Sequence, residues 1–340
     1  MKRLFFLLMI AVLALVGCQS QPQTNETQTE SNTDTNEQTE KELQKISVVL
    51  DWTPNTNHTG LYVAKEKGYF EEQGLDVDII MPGDAGSDQL IASGNAEFGV
   101  SIQENITLAR TQGVPIVSIA AVIQHNTSGF ASPVDLNITS PKDFEGKTYG
   151  GWGSPIEQAV LQTLMSVEQA DINQLDIVNA GNADFFTMKN QGIDFAWIYY
   201  GWTGVEAELR GEDINMVYLT DYSEKLDYYT PVLATNESMI AENPETVKAF
   251  VSAAAKGYQF AIENPEEAAN ILSAAAPELD SELILESQKW LSTKYQDDAP
   301  RWGEQKLDVW KNYADWMSEH GVLEGEFDPE KAFTNEFLPE

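Results

Sequence analysis

Cysteine occurs once in this 340-residue chain, at position 18, and histidine three times; cationic side chains are scarce, with 20 Lys plus Arg against 54 Asp plus Glu. A single cysteine closes no disulfide within the chain. His58, His125 and His320 lie far apart without the spacing of a metal site, so no metal and no cofactor is expected. The net charge of −34 repels nucleic acid and anionic lipid headgroups alike, which sets nucleic-acid binding aside. It says little about a ligand, because most of these carboxylates belong on solvated faces. The apolar run Leu4 to Val16 is about 13 residues, short of the ~20 that span a bilayer.

What is present describes a globular protein. Hydrophobic residues make up 42% and aromatic residues 10% of a chain long enough for two domains. The N-terminus carries Lys2 and Arg3 before the apolar run and Leu15-Val16-Gly17-Cys18 after it. This reads as a signal peptide over residues 1–17, and the last four residues resemble the bacterial lipobox. Cys18 is then the lipidation site, which implies a protein anchored to the cell membrane on its extracytoplasmic face. From residue 18 to about 45 the chain is rich in Gln, Thr, Asn, Glu and Ser, too polar to offset chain entropy by burial, and reads as a flexible tether.

The folded body begins with the β-branched run Ile46-Ser47-Val48-Val49-Leu50 and turns polar at Asp51. Helices are expected over 59–73, 87–93 and 104–112, alternating with strands over 75–81, 98–101 and 116–123. The alternation restarts after Pro141, with strands at 148–150, 175–178, 195–198 and 216–219 and helices at 156–167, 184–190 and 204–211. The chain is mainly helical beyond Ala234, punctuated by Asn243-Pro244 and Asn264-Pro265. The pattern predicts an α/β protein of two α/β lobes with a ligand cleft between them. Lobe one is placed at 46–135 and 234–340 and lobe two at 136–233, with crossings near 132–140 and 228–236.

Three loops fall where strand ends would line that cleft: Asp51 to Gly60, Gly150 to Pro155, and Ala196 to Trp202 leading to Glu206. All carry aromatic residues beside Asn, Ser or Glu, and none contains Lys or Arg, a combination that favours a flat ligand without negative charge. Trp52 and Trp152, flanked by polar residues and Gly, point to the cleft, whereas Trp197 inside an apolar strand reads as core. Tyr199 and Tyr200 face opposite sides if the strand continues, so one of them belongs to the core. Glu206 is either a solvated helix residue or an acceptor of two parallel hydrogen bonds from an amino group and an adjacent ring N–H. Asn55 and Asn57 suit amide or amino groups. His58 is either a helix-start partner or a ligand contact.

The run from Asp51 to Ala64, followed by Lys67-Gly68-Tyr69-Phe70, Gly74-Leu75-Asp76-Val77, Gly153-Ser154-Pro155 and the stretch from Tyr199 to Glu206, resembles the thiamine-pyrimidine-precursor family of ABC-transporter substrate-binding proteins. The resemblance extends from about Ile46 to the C-terminal helices. It implies a type II periplasmic-binding-protein fold, a monomer that serves a permease, and capture of N-formyl-4-amino-5-aminomethyl-2-methylpyrimidine. The candidate ligand contacts are then Trp52, Asn55, Asn57, His58, Tyr62, Trp152, Ser154, Tyr199, Tyr200, Trp202 and Glu206. A riboflavin-like heterocycle or a sulfonate- or nitrate-type anion is the alternative ligand class. The same broad family includes a fungal thiamine-pyrimidine synthase with a Lys and a His just after its third strand and a cysteine-rich iron-binding run. Here Ser101 and Asn105 stand at the matching positions and no cysteine follows Cys18, which counts against an enzyme.

Overall fold

The computed structural model describes residues 42–181 and 183–340; the expected signal peptide, Cys18 and nearly all of the tether lie outside them. In chain order the first stretch is β1 (Gln44–Val49), α1 (Thr59–Glu66), α2 (Tyr69–Glu72), β2 (Leu75–Ile80), α3 (Ser87–Ala92), β3 (Phe98–Ser101), α4 (Gln103–Thr111) and β4 (Ile116–Ala121). The second is β5 (Ser128–Pro133), β6 (Thr148–Gly151), α5 (Pro155–Val167), β7 (Asp176–Asn179), α6 (Phe185–Asn190), β8 (Phe195–Tyr199), α7 (Val205–Leu209) and β9 (Ile214–Tyr218). Then come β10 (Val232–Asn236), α8 (Glu237–Glu242), α9 (Pro244–Glu263), α10 (Pro265–Ala275), α11 (Ser281–Ser292) and α12 (Leu307–Glu319). None of these helices is long and apolar enough to cross a membrane.

Two five-stranded sheets result, ordered β2-β1-β3-β10-β4 and β7-β6-β8-β5-β9. In each, four strands run in one direction and the fourth in the order is antiparallel to both its neighbours. The two-lobed α/β architecture expected from the strand-helix alternation is therefore the one observed. Pro244 and Pro265 each open a helix, where a missing N–H costs nothing.

Four differences separate the structure from the sequence expectation. The single helix expected over 59–73 is two, α1 and α2, because Gly68 takes φ 72°, a left-handed conformation that interrupts the ladder. The crossings lie earlier than placed. Residues 128–133 are already a strand of the second sheet and 232–236 a central strand of the first, so the lobes are joined through 122–127 and 219–231. Strand β5, Ser-Gly-Phe-Ala-Ser-Pro, has no β-branched residue to mark it, and at Gly129 none fits, because a Cβ there would collide with the carbonyl oxygen of Val217. Finally, α12 does not belong to one lobe. Its Trp310 is buried with Val49, Ile91 and Val232, while Tyr313, Trp316 and Met317 are buried with Phe130, Tyr149 and Leu164 of the second lobe.

The first lobe's core rests on α9 packed along the sheet and α1. Phe250 stacks on Phe98 with centroids 3.9 Å apart and on Phe70 at 5.5 Å. Helices α1 and α9 approach so closely that a Cβ on Gly257 would collide with the backbone carbonyl of Gly60. Relieving Gly in an open helix interior gains about 1 kcal/mol, but overpacking against an immovable backbone costs about 1–3 kcal/mol. Gly257→Ala is therefore expected to destabilise the protein, read as a lower urea midpoint at unchanged slope; a raised midpoint would show that the two helices can separate freely.

Candidate ligand-binding cleft

The ends of the strands meet at one cavity of about 590 Å³. The segments that follow β1, β3 and β4 bring Asp51, Trp52, Asn55, Asn57, Ile102 and Ile123 from the first lobe. The ends of β6, β7 and β8 bring Gly151, Trp152, Asp184, Phe185, Tyr199 and Trp202 from the second, and the two crossings add Thr127 and Thr230. This is where an open, mostly parallel sheet binds ligands, outside the carboxyl ends of its strands. Trp52 is 59% exposed and Trp152 45%, so each lobe presents an indole still open to water.

The lining includes two carboxylates, Asp51 and Asp184, and no Lys, Arg or His. Asp51 is held in place. The backbone N–H of Asn55 donates to Nδ1 of His58 at 3.2 Å, which leaves the ring proton on Nε2 to donate to Oδ1 of Asp51 at 2.7 Å. His58 is fully buried, so the imidazole is a fixed strut, and the second oxygen of Asp51 stays available to the cavity. Asp184 caps α6, and the Thr187 hydroxyl at 2.6 Å with the Thr187 amide at 3.0 Å holds its carboxyl below the usual range. Tyr199 shows its ring to the cavity while its hydroxyl is sunk beside the Thr230 hydroxyl at 3.4 Å, and that desolvation pushes the phenol up to about 12. Trp197, also on the wall and 9% exposed, has a buried indole N–H with no partner among the described residues. No group of three or more His, Cys, Asp and Glu among the described residues is arranged to hold a metal.

Residues 55–268 match the family model described as NMT1/THI5 like. The chain is 32% identical to the formylaminopyrimidine-binding protein of Halalkalibacterium halodurans, over 96% of this chain and 97% of that one. The chain belongs to the NMT1/THI5-like family. The riboflavin-binding protein RibY of Chloroflexus aurantiacus is 25% identical, with 87% of each chain covered. Among solved structures, the periplasmic aliphatic sulphonate binding protein SsuA of Escherichia coli superposes with a TM-score of 0.68 at 12% identity, covering 87% of this chain and 94% of that one. The fold is thus that of a periplasmic binding protein.

Within this NMT1/THI5-like chain, Trp52, Asn55, Asn57, Trp152, Tyr199 and Trp202 of the expected contacts lie on the cavity wall, and His58, Tyr62, Ser154, Tyr200 and Glu206 do not. The Asn55 side chain is spent on its own loop, accepting from the Asn57 amide at 2.9 Å and donating to the Thr53 carbonyl at 3.0 Å. Ser154 caps α5 by accepting from the Ile156 amide at 3.3 Å. Tyr62 lines a different hollow of about 560 Å³ with Lys65, Glu66 and Asn270. Residues Tyr200–Gly204 form a π-helical turn, whose wider step rotates the helix that follows. Tyr200 consequently packs on Tyr218 and Trp290 and donates to Glu208, and Glu206 pairs with Arg210 one turn along α7. Trp197 is both buried and on the wall. Asp184, Thr127 and Thr230 were not among the expected contacts, and neither was Asp51, although the sequence places it as the first polar residue after β1 and at the start of a cleft loop.

The two crossings are pinned to each other below the cavity. Asp227 Oδ1 accepts from the Asn126 amide at 2.9 Å and Oδ2 contacts His125 Nδ1 at 2.6 Å, while His125 Nε2 reaches Asp298 at 3.2 Å. The hydrogen bond to Asp227 first, with the charge of both carboxylates, raises His125 to about 9. A folded pKa above the unfolded value of about 6.5 means that this stabilisation is complete below that pH and is lost as pH rises through about 9. His125→Gln is accordingly expected to lower the urea midpoint at pH 6, with the gap to the parent shrinking by pH 10; a gap that stays constant would assign His125 no charge-dependent role.

Proposed function

We propose that this chain is the substrate-binding component of an ABC importer, held at the outer face of the membrane by a diacylated Cys18, and that it captures a thiamine-related aminopyrimidine such as N-formyl-4-amino-5-aminomethyl-2-methylpyrimidine. The observation that carries this reading is the cavity wall itself: indoles from both lobes, a pinned aspartate and no cation among the lining residues. A flat ring entering between Trp52 and Trp152 covers their exposed faces, each stacking contact worth about 1 kcal/mol beyond the area buried. The carboxylate of Asp51 then takes the part first assigned to Glu206, accepting hydrogen bonds from the exocyclic amino group and an adjacent ring N–H. Closure of the lobes on the ring makes the loaded form distinguishable to a permease. The Halalkalibacterium relative, similar over nearly its whole length, supports this ligand class.

Two other readings fit less well. A flavin is favoured by the size of the cavity, within the 300–1,000 Å³ range of drug-sized ligand pockets and roomy for one pyrimidine ring, and by the similarity to RibY. Pyrimidine synthesis is disfavoured because Ser101 and Asn105 are both committed to Asp88, at 2.5 and 2.8 Å, and offer no reactive amine or imidazole.

Titration calorimetry with the formylaminopyrimidine, thiamine and riboflavin tests the reading. Saturable heat is expected with the pyrimidine, and Asp51→Asn is expected to weaken it by at least about tenfold as a charge-assisted pair becomes neutral. Heat with riboflavin alone would transfer the assignment to the flavin; silence with all three would end it.

A further inference from the structure

The amides that open α5 converge on a carboxylate from the helix's own first turn. Glu157 is 2% exposed. Its Oε1 accepts from the Tyr149 hydroxyl at 2.6 Å and the Trp152 amide at 3.0 Å, and its Oε2 from the amides of Gly153 at 2.7 Å and Ser154 at 2.8 Å. Successive backbone N–H groups at a helix N-terminus form a cradle for an anion, and here the anion is part of the chain. A capping box accounts for the Ser154 amide alone; the other three donors lie outside it. Burial first, and the Glu157 charge after it, push the Tyr149 hydroxyl far above its ordinary value, so it stays a donor.

The loop is built around this carboxylate. A Cβ on Gly151 would collide with Glu157 Oε1, and one on Gly153, at φ +87°, with the Asn179 side chain. Gly151 and Trp152 both line the cleft, so the cradle stands directly behind a wall of the ligand site. The negative charge is also felt across the lobes: Glu104 of α4 is raised to about 7, by burial first and with a contribution from Glu157.

We infer that Glu157 is a positioning and specificity-determining residue: its carboxylate fills the backbone cradle beside the cleft, fixing the Trp152 loop and denying the cradle to an oxyanion ligand such as a sulfonate or sulfate. The part concerning Trp152 rests on the aminopyrimidine reading, while the exclusion of oxyanions stands apart from it.

The test uses the tethered chain, without its leader, as wild type, Glu157→Ala and Glu157→Gln. Glu157→Ala is expected to bind the formylaminopyrimidine at least about tenfold more weakly. Sodium formate, by returning a carboxylate to the cradle, restores most of that affinity. Sulfate or methanesulfonate is expected to give a saturable change in tryptophan fluorescence with Glu157→Ala and none with wild type. A folded Glu157→Ala that binds the pyrimidine like wild type, or ignores formate, sulfate and methanesulfonate, overturns the inference. If Glu157→Ala does not fold, Glu157→Gln decides: its amide still fills the space, so weakening without formate rescue is expected, and unchanged affinity overturns the inference. If wild type itself binds no pyrimidine, the ligand assignment fails, and the oxyanion response of Glu157→Ala still decides the role of Glu157.

Discussion

Everything in the cleft depends on how the lobes are joined. Two segments, 122–127 and 219–231, carry the chain between sheets, and Asp227 ties them together through the Asn126 amide, with the Asn126 side chain returning a bond to the Leu226 carbonyl at 2.9 Å. Because each segment leaves one sheet and enters the other near the strand ends, the loops after β1, β3, β4, β6, β7 and β8 share one gap. The covalent path between the sheets is therefore confined to those few residues. Helix α12 is buried against both lobes and so adds a packed contact between them besides the two crossings.

Charge sign dominates what such a cleft accepts. Two unit charges 4 Å apart at an effective dielectric of about 20 interact by about 4 kcal/mol, close to a thousandfold in affinity, whereas an aromatic stack adds about 1 kcal/mol. With Asp51 and Asp184 on the wall and no cation opposing them, a negatively charged ligand loses more than the indoles return. A protonated ring gains on both counts, and a neutral one keeps the stacking without the repulsion. Stacking surfaces therefore set shape, and the acids set the class of molecule that can use it.

Much of this was legible in the chain. The strands β1, β4 and β8 stand out as apolar runs with β-branched residues, and the placement of Trp52, Trp152 and Trp202 just beyond strand ends marked them as cleft residues, while the choice between Tyr199 and Tyr200 stayed open in the sequence. Strand β5 did not stand out, because its Ser, Gly and Ala read as loop, and at Gly129 the close approach of β9 leaves no room for a side chain. That one oversight displaced the first crossing and hid Thr127. Glu206 was a plausible acid on spacing alone, since the wider turn at 200–204 that redirects it is a matter of backbone hydrogen bonding that residue type does not reveal. Tyr62 and Ser154 were carried by likeness of motif, and their tasks in this structure are packing and capping.

Glu206 and Asp51 differ most in rigidity. Glu206 ends a flexible side chain on α7, partnered by Arg210 in an i,i+4 pair of the kind worth about 0.3–0.5 kcal/mol, too little to fix a carboxylate in one direction. Asp51 has a shorter side chain on the first residue past a buried strand, and its oxygen is held by an imidazole that is itself buried and oriented by the Asn55 backbone. A carboxylate placed in advance loses little freedom when a ligand arrives, so more of each hydrogen bond appears as affinity. The loop from Asp51 to His58 thus uses a fully buried histidine, oriented by the Asn55 backbone N–H, to hold a single aspartate still, while the Asn55 side chain braces the loop through Thr53 and Asn57.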